Sequence, residues 1–227
     1  MLTVELHSHT YVSDDCLMRP ADIVRTCARR SIHRLAVTDH NSIAGALEMQ
    51  ALAPQLVIVG EEVMTTQGEL LAYFLREPVP AGLTPVETIQ RLRAQGAAIS
   101  VSHPFDRLRH GAWQQPDLAA IIGLVDAIEV FNSRCIYPED NTRALAFARE
   151  HGKLGTVGSD AHSRRELGRA VLRMPLAGTP AELIAGFAAG ERVTQLSSPA
   201  IHFTSRWAKL RKRLGPRARQ PGSQTKP

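Results

Sequence analysis

Leu6-His7-Ser8-His9-Thr10 is the stretch from which the rest of the chain can be read. It sets two imidazoles at positions i and i+2. On a β-strand, alternate side chains leave by the same face, so His7 and His9 can aim at one point, as ligands of one ion must. An HxH pair by itself is more often coincidence than a metal site. This one is followed by Thr38-Asp39-His40, Gly60-Glu61-Glu62, Ser102-His103-Pro104 and Ser159-Asp160-Ala161-His162. Each places a histidine or a carboxylate just after a short apolar run.

Working outward, those apolar runs read as strands. Residues 35–37 lead to Asp39 and His40, 56–59 to Glu61 and Glu62, 97–101 to His103, 127–131 to Asn132, and 154–157 to Asp160. Residues 63–66 and 69–75 flank Gln67-Gly68 as a hairpin. Helical signals lie between the strands. Pro20 suits a first helical turn, and Thr84-Pro85-Val86-Glu87 and Thr179-Pro180-Ala181-Glu182 are capping boxes with proline at the first helical position. The alternation predicts an α/β fold with a mostly parallel sheet. A closed barrel brings all its strand ends to one rim, whereas an open doubly wound sheet gathers ligands only near its switch point. Ligands dispersed over so many units therefore favour the barrel. The chain shows neither a Gly-rich phosphate loop nor an internal repeat.

The 227 residues suffice for one barrel-sized domain or two small ones. No apolar run approaches the roughly 20 residues of a membrane span. The N-terminus lacks a basic region followed by an apolar stretch, and the first strand leaves no room for a targeting segment, so none is expected. The three cysteines, Cys16, Cys27 and Cys135, show no paired spacing. That argues against disulfides or a cysteine zinc site and predicts a reducing, cytoplasmic setting. The net charge of +5 is unevenly spread. Eight basic residues and no acid lie from Arg206 onward; removed from 27, they leave 19 basic against 22 acidic residues. Trp207, Leu210 and Leu214 sit at helical spacing among these arginines, a pattern able to touch nucleic acid or an anionic membrane. Gly215, Pro216, Pro221 and Gly222 break any helix, and a solvated, flexible basic tail over 204–227, with at most weak nucleic-acid contact, is the preferred reading.

The candidates His7, His9, Asp15, His40, Glu62, His103, Asp160 and His162 exceed what one ion uses, since a catalytic zinc takes about three protein ligands. The surplus implies about two or three ions sharing a bridging carboxylate. Imidazoles with carboxylates suit manganese, zinc or iron. Clustered divalent ions acidify a bridging water and clamp the attacking and leaving oxygens of an in-line displacement. That chemistry is hydrolysis, most naturally of a phosphate ester.

The ordered set His7-Ser8-His9-Thr10, Ser13-Asp14-Asp15, Thr38-Asp39-His40-Asn41, Glu61-Glu62-Val63, His103-Pro104 and Gly158-Ser159-Asp160-Ala161-His162 resembles the PHP (polymerase and histidinol phosphatase) family, from about Leu2 to Leu196. The resemblance implies a distorted (β/α)7 barrel with its metal site at the C-terminal rim of the strands, within a phosphoesterase domain of residues 1–203. It matches His7 and His9 to the opening ligands, His40 to the next, and Glu62 rather than Glu61 to the bridging carboxylate. His103 matches the His-Pro ligand, and Asp160 and His162 the closing pair. The spacing to Leu17 and Pro20 favours Asp15 over Asp14. Glu69 stands where relatives often carry a histidine ligand, and Asn132 fills a ligand or substrate-contact slot. A metal-activated hydroxide would attack phosphorus, with Asp160 or His162 handling a proton. Of the arginines beside motif loops (Arg107, Arg109, Arg134, Arg164, Arg165), Arg107 and Arg134 are the expected phosphate contacts. Asp39 is expected to support a ligand, and His33, His110, His151 and His202 to lie at the surface or in loops. The expected substrate is a phosphorylated small molecule or a nucleotide. The competing readings are a non-catalytic metal-bearing module associated with nucleic acid, and hydrolysis of another bond such as an amide.

Overall fold

The computed structural model describes residues 1–214. In chain order its strands are β1 (Leu2–Glu5), β2 (Arg34–Val37), β3 (Val57–Met64), β4 (Glu69–Tyr73), β5 (Ala98–Val101), β6 (Ala127–Asn132), β7 (Leu154–Gly158), β8 (Ala170–Met174) and β9 (Glu191–Thr194). The helices are α1 (Pro20–Arg29), α2 (Ala44–Leu52), α3 (Pro85–Ala94), α4 (Gln115–Ile121), α5 (Pro138–Glu150), α6 (Pro180–Ala189) and α7 (Ile201–Leu214). Both capping boxes form. Thr84 and Thr179 hydroxyls accept from the Glu87 and Glu182 amides at 3.3 and 3.2 Å, and both glutamates accept from the capping residue's own amide at 3.1 Å. Each box satisfies two amides that the first helical turn leaves without a partner.

The strands join in the order β7-β6-β5-β4-β3-β2-β1-β8-β9. β1, β2 and β3 run parallel, as do β5, β6 and β7; β4 is antiparallel to both its neighbours. Beyond the end of β1, Ser8 bridges Ala161 beyond the end of β7 in parallel register. His9 N donates to Ala161 O at 3.0 Å and Ala161 N to His7 O at 3.2 Å. These rim bonds bring β7 back to β1, so β1 to β7 form a nearly closed, distorted α/β barrel, as expected. β8 and β9 lie outside it, with β8 antiparallel to β1 over Leu2–Val4. Leu6, Leu35, Ile58, Leu71 and Ile99 from the sheet region and Ile23, Leu92 and Leu118 from the helices are almost completely buried. Each such side chain contributes about 1.5–3 kcal/mol relative to exposure.

The chain beyond β9 departs from the expected flexible tail. Gln195 N and Ser197 N donate to Arg169 O and Ser133 O, both at 2.7 Å, and return the chain to the rim. There α7 begins, so the expected boundary at residue 203 falls inside a helix. Arg134 Nη2 donates to Ser205 Oγ at 2.7 Å, and Lys209 Nζ lies 3.6 Å from Asp15 Oδ2. Gly215 and Pro216, read as helix breakers, and the rest of the expected tail lie outside the described residues. No described helix is long and apolar enough to cross a membrane.

Candidate metal centre

Strand ends deliver the candidate ligands to one place. His7 and His9 follow β1, His40 follows β2, Glu62 lies late in β3, Glu69 opens β4, His103 follows β5, and Asp160 and His162 follow β7. Asp15 arrives on the loop before α1, whereas Asp14 beside it is exposed. Glu62 occupies the middle. Its Oε1 is 3.3 Å from His7 Nε2 and 3.1 Å from His103 Nε2; its Oε2 is 3.5 Å from His9 Nε2 and 2.9 Å from His40 Nδ1. Asp160 Oδ1 stands 3.2 Å from His9 Nε2 and 3.7 Å from His7 Nε2. Asp15 Oδ1 stands 3.1 Å from His162 Nε2 and 3.6 Å from His40 Nε2. Glu69 Oε2 is 3.6 Å from His103 Nε2.

The surroundings aim the imidazoles. His7 Nδ1 donates to Glu129 Oε1 at 2.9 Å, and His162 Nδ1 to the Asp160 carbonyl at 2.8 Å. His9 Nδ1 donates to Ser13 Oγ at 3.2 Å, and Ser13 Oγ donates to Asp39 Oδ1 at 2.5 Å. Asp39 also accepts from Thr10 N at 2.7 Å, the supporting place expected for it. With the proton on Nδ1, each of these rings turns its Nε2 lone pair to the centre. Gly158 is required beside them, because a Cβ there would collide with Glu129 Oε1 and His7 Cβ. Asp160 has φ 52°, a left-handed conformation that costs a non-glycine residue about 1–3 kcal/mol and persists where neighbours enforce it. The next residue helps to do so, with Ala161 N donating to His7 O and Ala161 O accepting from His9 N.

The electrostatics favour cations. Burial opposes ionisation of Glu62 and Asp160, yet His7 and His40 hold Glu62, and Arg109 and His7 hold Asp160, well below the usual carboxylate range. Burial, with the charges of His162 and His40, holds His9 well below the usual imidazole range, which keeps its lone pair free. Glu61, one residue from Glu62 and so on the opposite face of β3, accepts from Val79 N at 2.9 Å instead. Burial pushes its carboxyl from 4.5 up to about 7. A carboxyl raised on folding makes the fold lose stability as pH rises from its unfolded to its folded value. Glu61→Gln should therefore match the parent near pH 4 and exceed its stability by about 1–3 kcal/mol at pH 8, read from urea midpoints.

Two expected site residues, Arg107 and Arg134, stand elsewhere. Arg107 is more than half exposed and paired with Asp140 Oδ1 at 2.6 Å, over the Tyr137 ring. Arg134 is buried but spent on Ser205, with its Nε 3.4 Å from Glu166 Oε1. Asn132 stays beside the centre as a support: its Nδ2 donates to Glu129 Oε2 at 3.0 Å and to Asp160 Oδ2 at 3.3 Å, and its Oδ1 accepts from Arg134 N at 2.9 Å. The guanidinium at the centre belongs to Arg109, whose Nη2 donates to Asp160 Oδ2 and whose Nε lies 3.4 Å from Asp106. His202, expected at the surface, is partly buried against the Arg134 carbonyl. Glu129 was legible only as an acid inside an apolar strand. It holds His7 Nδ1, His103 N at 2.9 Å and Asn132 together. Glu129→Gln should weaken metal binding about 10–100-fold, measured by competition with a chromophoric chelator.

Ligand atoms around one ion at about 2.0–2.3 Å stand roughly 3–3.7 Å apart, which is the spacing found here. Four overlapping triples, His7/Glu62/His103, His7/His9/Asp160, His9/His40/His162 and His40/Glu62/Glu69, each have donor atoms within 4.8 Å of one another. Among the described residues, Nε2 of His7, His9 and His162 and one oxygen each of Asp15, Glu62 and Asp160 are buried with no hydrogen-bond partner. Such atoms cost about 1–3 kcal/mol each when left unpaired, so the donor set fits divalent cations.

A PHP domain profile matches residues 5–130, more than half of the chain, and a PHP-associated profile matches 138–191. The chain belongs to the PHP domain family. This PHP protein is 34% identical over 176 residues to the uncharacterized protein MJ0417 of Methanocaldococcus jannaschii, across 76% of this chain and 70% of that one. Its fold is similar to a two-domain Bacteroides vulgatus protein containing a predicted PHP-like metal-dependent phosphoesterase, with TM-score 0.69, 17% identity, and 86% and 65% of the two chains covered. It is also similar to the lesion-specific endonuclease PfuEndoQ of Pyrococcus furiosus, with TM-score 0.57, 16% identity, and 84% and 57% covered.

Proposed function

We propose that this PHP protein hydrolyses phosphate esters with about two or three divalent cations, manganese, zinc or iron. His7, His9, Asp15, His40, Glu62, Glu69, His103, Asp160 and His162 would hold them. The observation that carries this reading is the set of buried, unpartnered donor atoms surrounding both oxygens of Glu62. When bound, the cations polarise the phosphoryl oxygens and acidify water. The chain's own residues do the rest. Glu62, with two oxygens facing different imidazoles, would hold two cations at once. A cleft of about 390 Å³ leads from His40, Asp15 and Glu69 outward between Arg109, His110 and Lys209. Arg109 and Lys209 take up phosphate charge, the part expected of Arg107 and Arg134. Asp160, kept ionised by Arg109 and His7, is placed to accept the proton that the attacking water gives up, the part expected of Asp160 or His162. The substrate is a phosphorylated small molecule or a nucleotide, since the cleft is open and lined by Arg109 and Lys209.

The test is turnover of phosphate monoesters and diesters by purified protein before and after chelation, then with manganese, zinc or iron restored. Chelation should abolish hydrolysis and one of the metals should return it. Hydrolysis indifferent to chelation would reject the assignment.

A further inference from the structure

α7 is laid down with its apolar side outward. Ser205 and Ala208 are buried against the barrel. Lys209 points to Asp15, and Lys212 Nζ donates to the carbonyls of Tyr11 and Ser13. Phe203, Trp207, Leu210 and Leu214 follow the i, i+4, i+7, i+11 spacing of one helical stripe, and are 71, 61, 47 and 77% exposed. By helical geometry Arg206 and Arg213 border this stripe on one side and Arg211 on the other. A helix of a globular domain normally buries such a stripe. A contiguous exposed one marks a contact surface.

The stripe does not end at the helix. Trp207 and Leu17 line one shallow groove. Leu17 continues into a second groove of about 650 Å³, where Tyr11, Pro20 and Leu52 supply apolar wall and three cations, Arg19, Arg211 and Lys212, outnumber the single acid Glu48, itself bonded by the Tyr11 hydroxyl. From Arg192 to the C-terminus the sequence holds nine basic residues and no acid.

That pairing of apolar ground with cations selects the occupant. A second copy docked through α7 about a two-fold axis would set these arginines against their own equivalents, a like-charge juxtaposition. Nucleic acid would satisfy the arginines and leave Phe203, Leu210 and Leu214 in water. An anionic bilayer meets both needs, with headgroups on the arginines and the aromatic and leucine side chains sunk about 5–10 Å into the interface. We propose that α7 docks the protein peripherally on an anionic lipid surface, lying in the interfacial plane with the Phe203–Leu214 stripe inserted. His202, Arg206 and Lys209, on the other flank of α7, line a lobe that adjoins the metal centre. Docking through the stripe thus leaves the cleft beside the bilayer and open.

The protein carries its own reporter. Trp113 is 3% exposed and Trp207 is 61% exposed, so a change in tryptophan emission on binding reports Trp207. The full chain is floated with phosphatidylcholine vesicles, pure or containing about 30% phosphatidylglycerol. The expected result is at least about tenfold more protein on the anionic vesicles, with a blue shift in emission, both reduced at about 0.5 M salt. The double variant Phe203→Ser/Leu210→Ser should lose the blue shift and most of the bound fraction, with unchanged circular dichroism and metal content. Equal binding to both vesicle types, or to neither, overturns the proposal. So does a dimer in light scattering that the double variant abolishes, or binding confined to a DNA oligonucleotide that the double variant retains.

Discussion

Glu62→Gln should lower turnover of a model phosphodiester by about three orders of magnitude, with the barrel still folded. Glu62 is the one side chain that faces His7 and His103 through one oxygen and His9 and His40 through the other. Glutamine keeps the shape but replaces one of those oxygens with an NH2 group, which repels a cation. Lewis-acid stabilisation of a phosphoryl transition state is worth several kcal/mol, and about 4 kcal/mol corresponds to the stated loss. Elemental analysis should show the variant short of at least one ion per chain. The Ser102 hydroxyl that donates to Glu62 Oε1 at 2.7 Å still has an acceptor in the glutamine carbonyl, so the fold should hold. Full metal content with undiminished turnover would remove Glu62 from the bridging place.

Arg109→Ala should combine a loss of activity with a loss of stability that depends on metal. The guanidinium is largely buried between Asp106 and Asp160. Removing it strands two buried carboxylates, which costs about 3 kcal/mol or more in metal-free protein. With cations bound, Asp160 has another partner, and the stability difference should shrink. Turnover should fall about 100-fold, the usual scale for losing one positioned donor to a developing oxyanion. Arg109→Lys restores the charge without the planar fork, so it should recover stability better than turnover. Thermal melts with and without chelator, run beside steady-state kinetics, separate the two effects. Wild-type turnover in Arg109→Ala would rule the residue out as a phosphate contact.

Much of this centre was legible because it obeys local periodicity. Residues two apart on a strand share a face, which paired His7 with His9. Neighbours on a strand oppose, so Glu61 and Glu62 take opposite faces, and the choice of Glu62 came from the resemblance to the PHP family. The capping boxes at Thr84 and Thr179 act over three residues and formed as their sequences predict. The misjudged positions share a different character. Between Asp106 and Gly111 the chain is irregular, so no period says that Arg109 rather than Arg107 turns inward; contacts with Asp160, fifty-one residues away, do. In β6 an irregularity leaves Val130 without a partner between the Glu129–Thr156 and Phe131–Val157 pairs. This bulge sets Glu129 and Asn132, three apart, on the same side, so the two side chains bond each other.

The sequence alone therefore determined the strand–helix alternation, the faces of the strands, and which histidines and carboxylates stand at strand ends, because backbone geometry repeats over two to four residues. Only the tertiary structure decided which arginine enters the centre, that Asn132 braces Glu129 and Asp160, and that α7 turns its lysines in and its apolar stripe out. Those outcomes depend on charges and packing surfaces brought together from distant parts of the chain, and no local pattern records them.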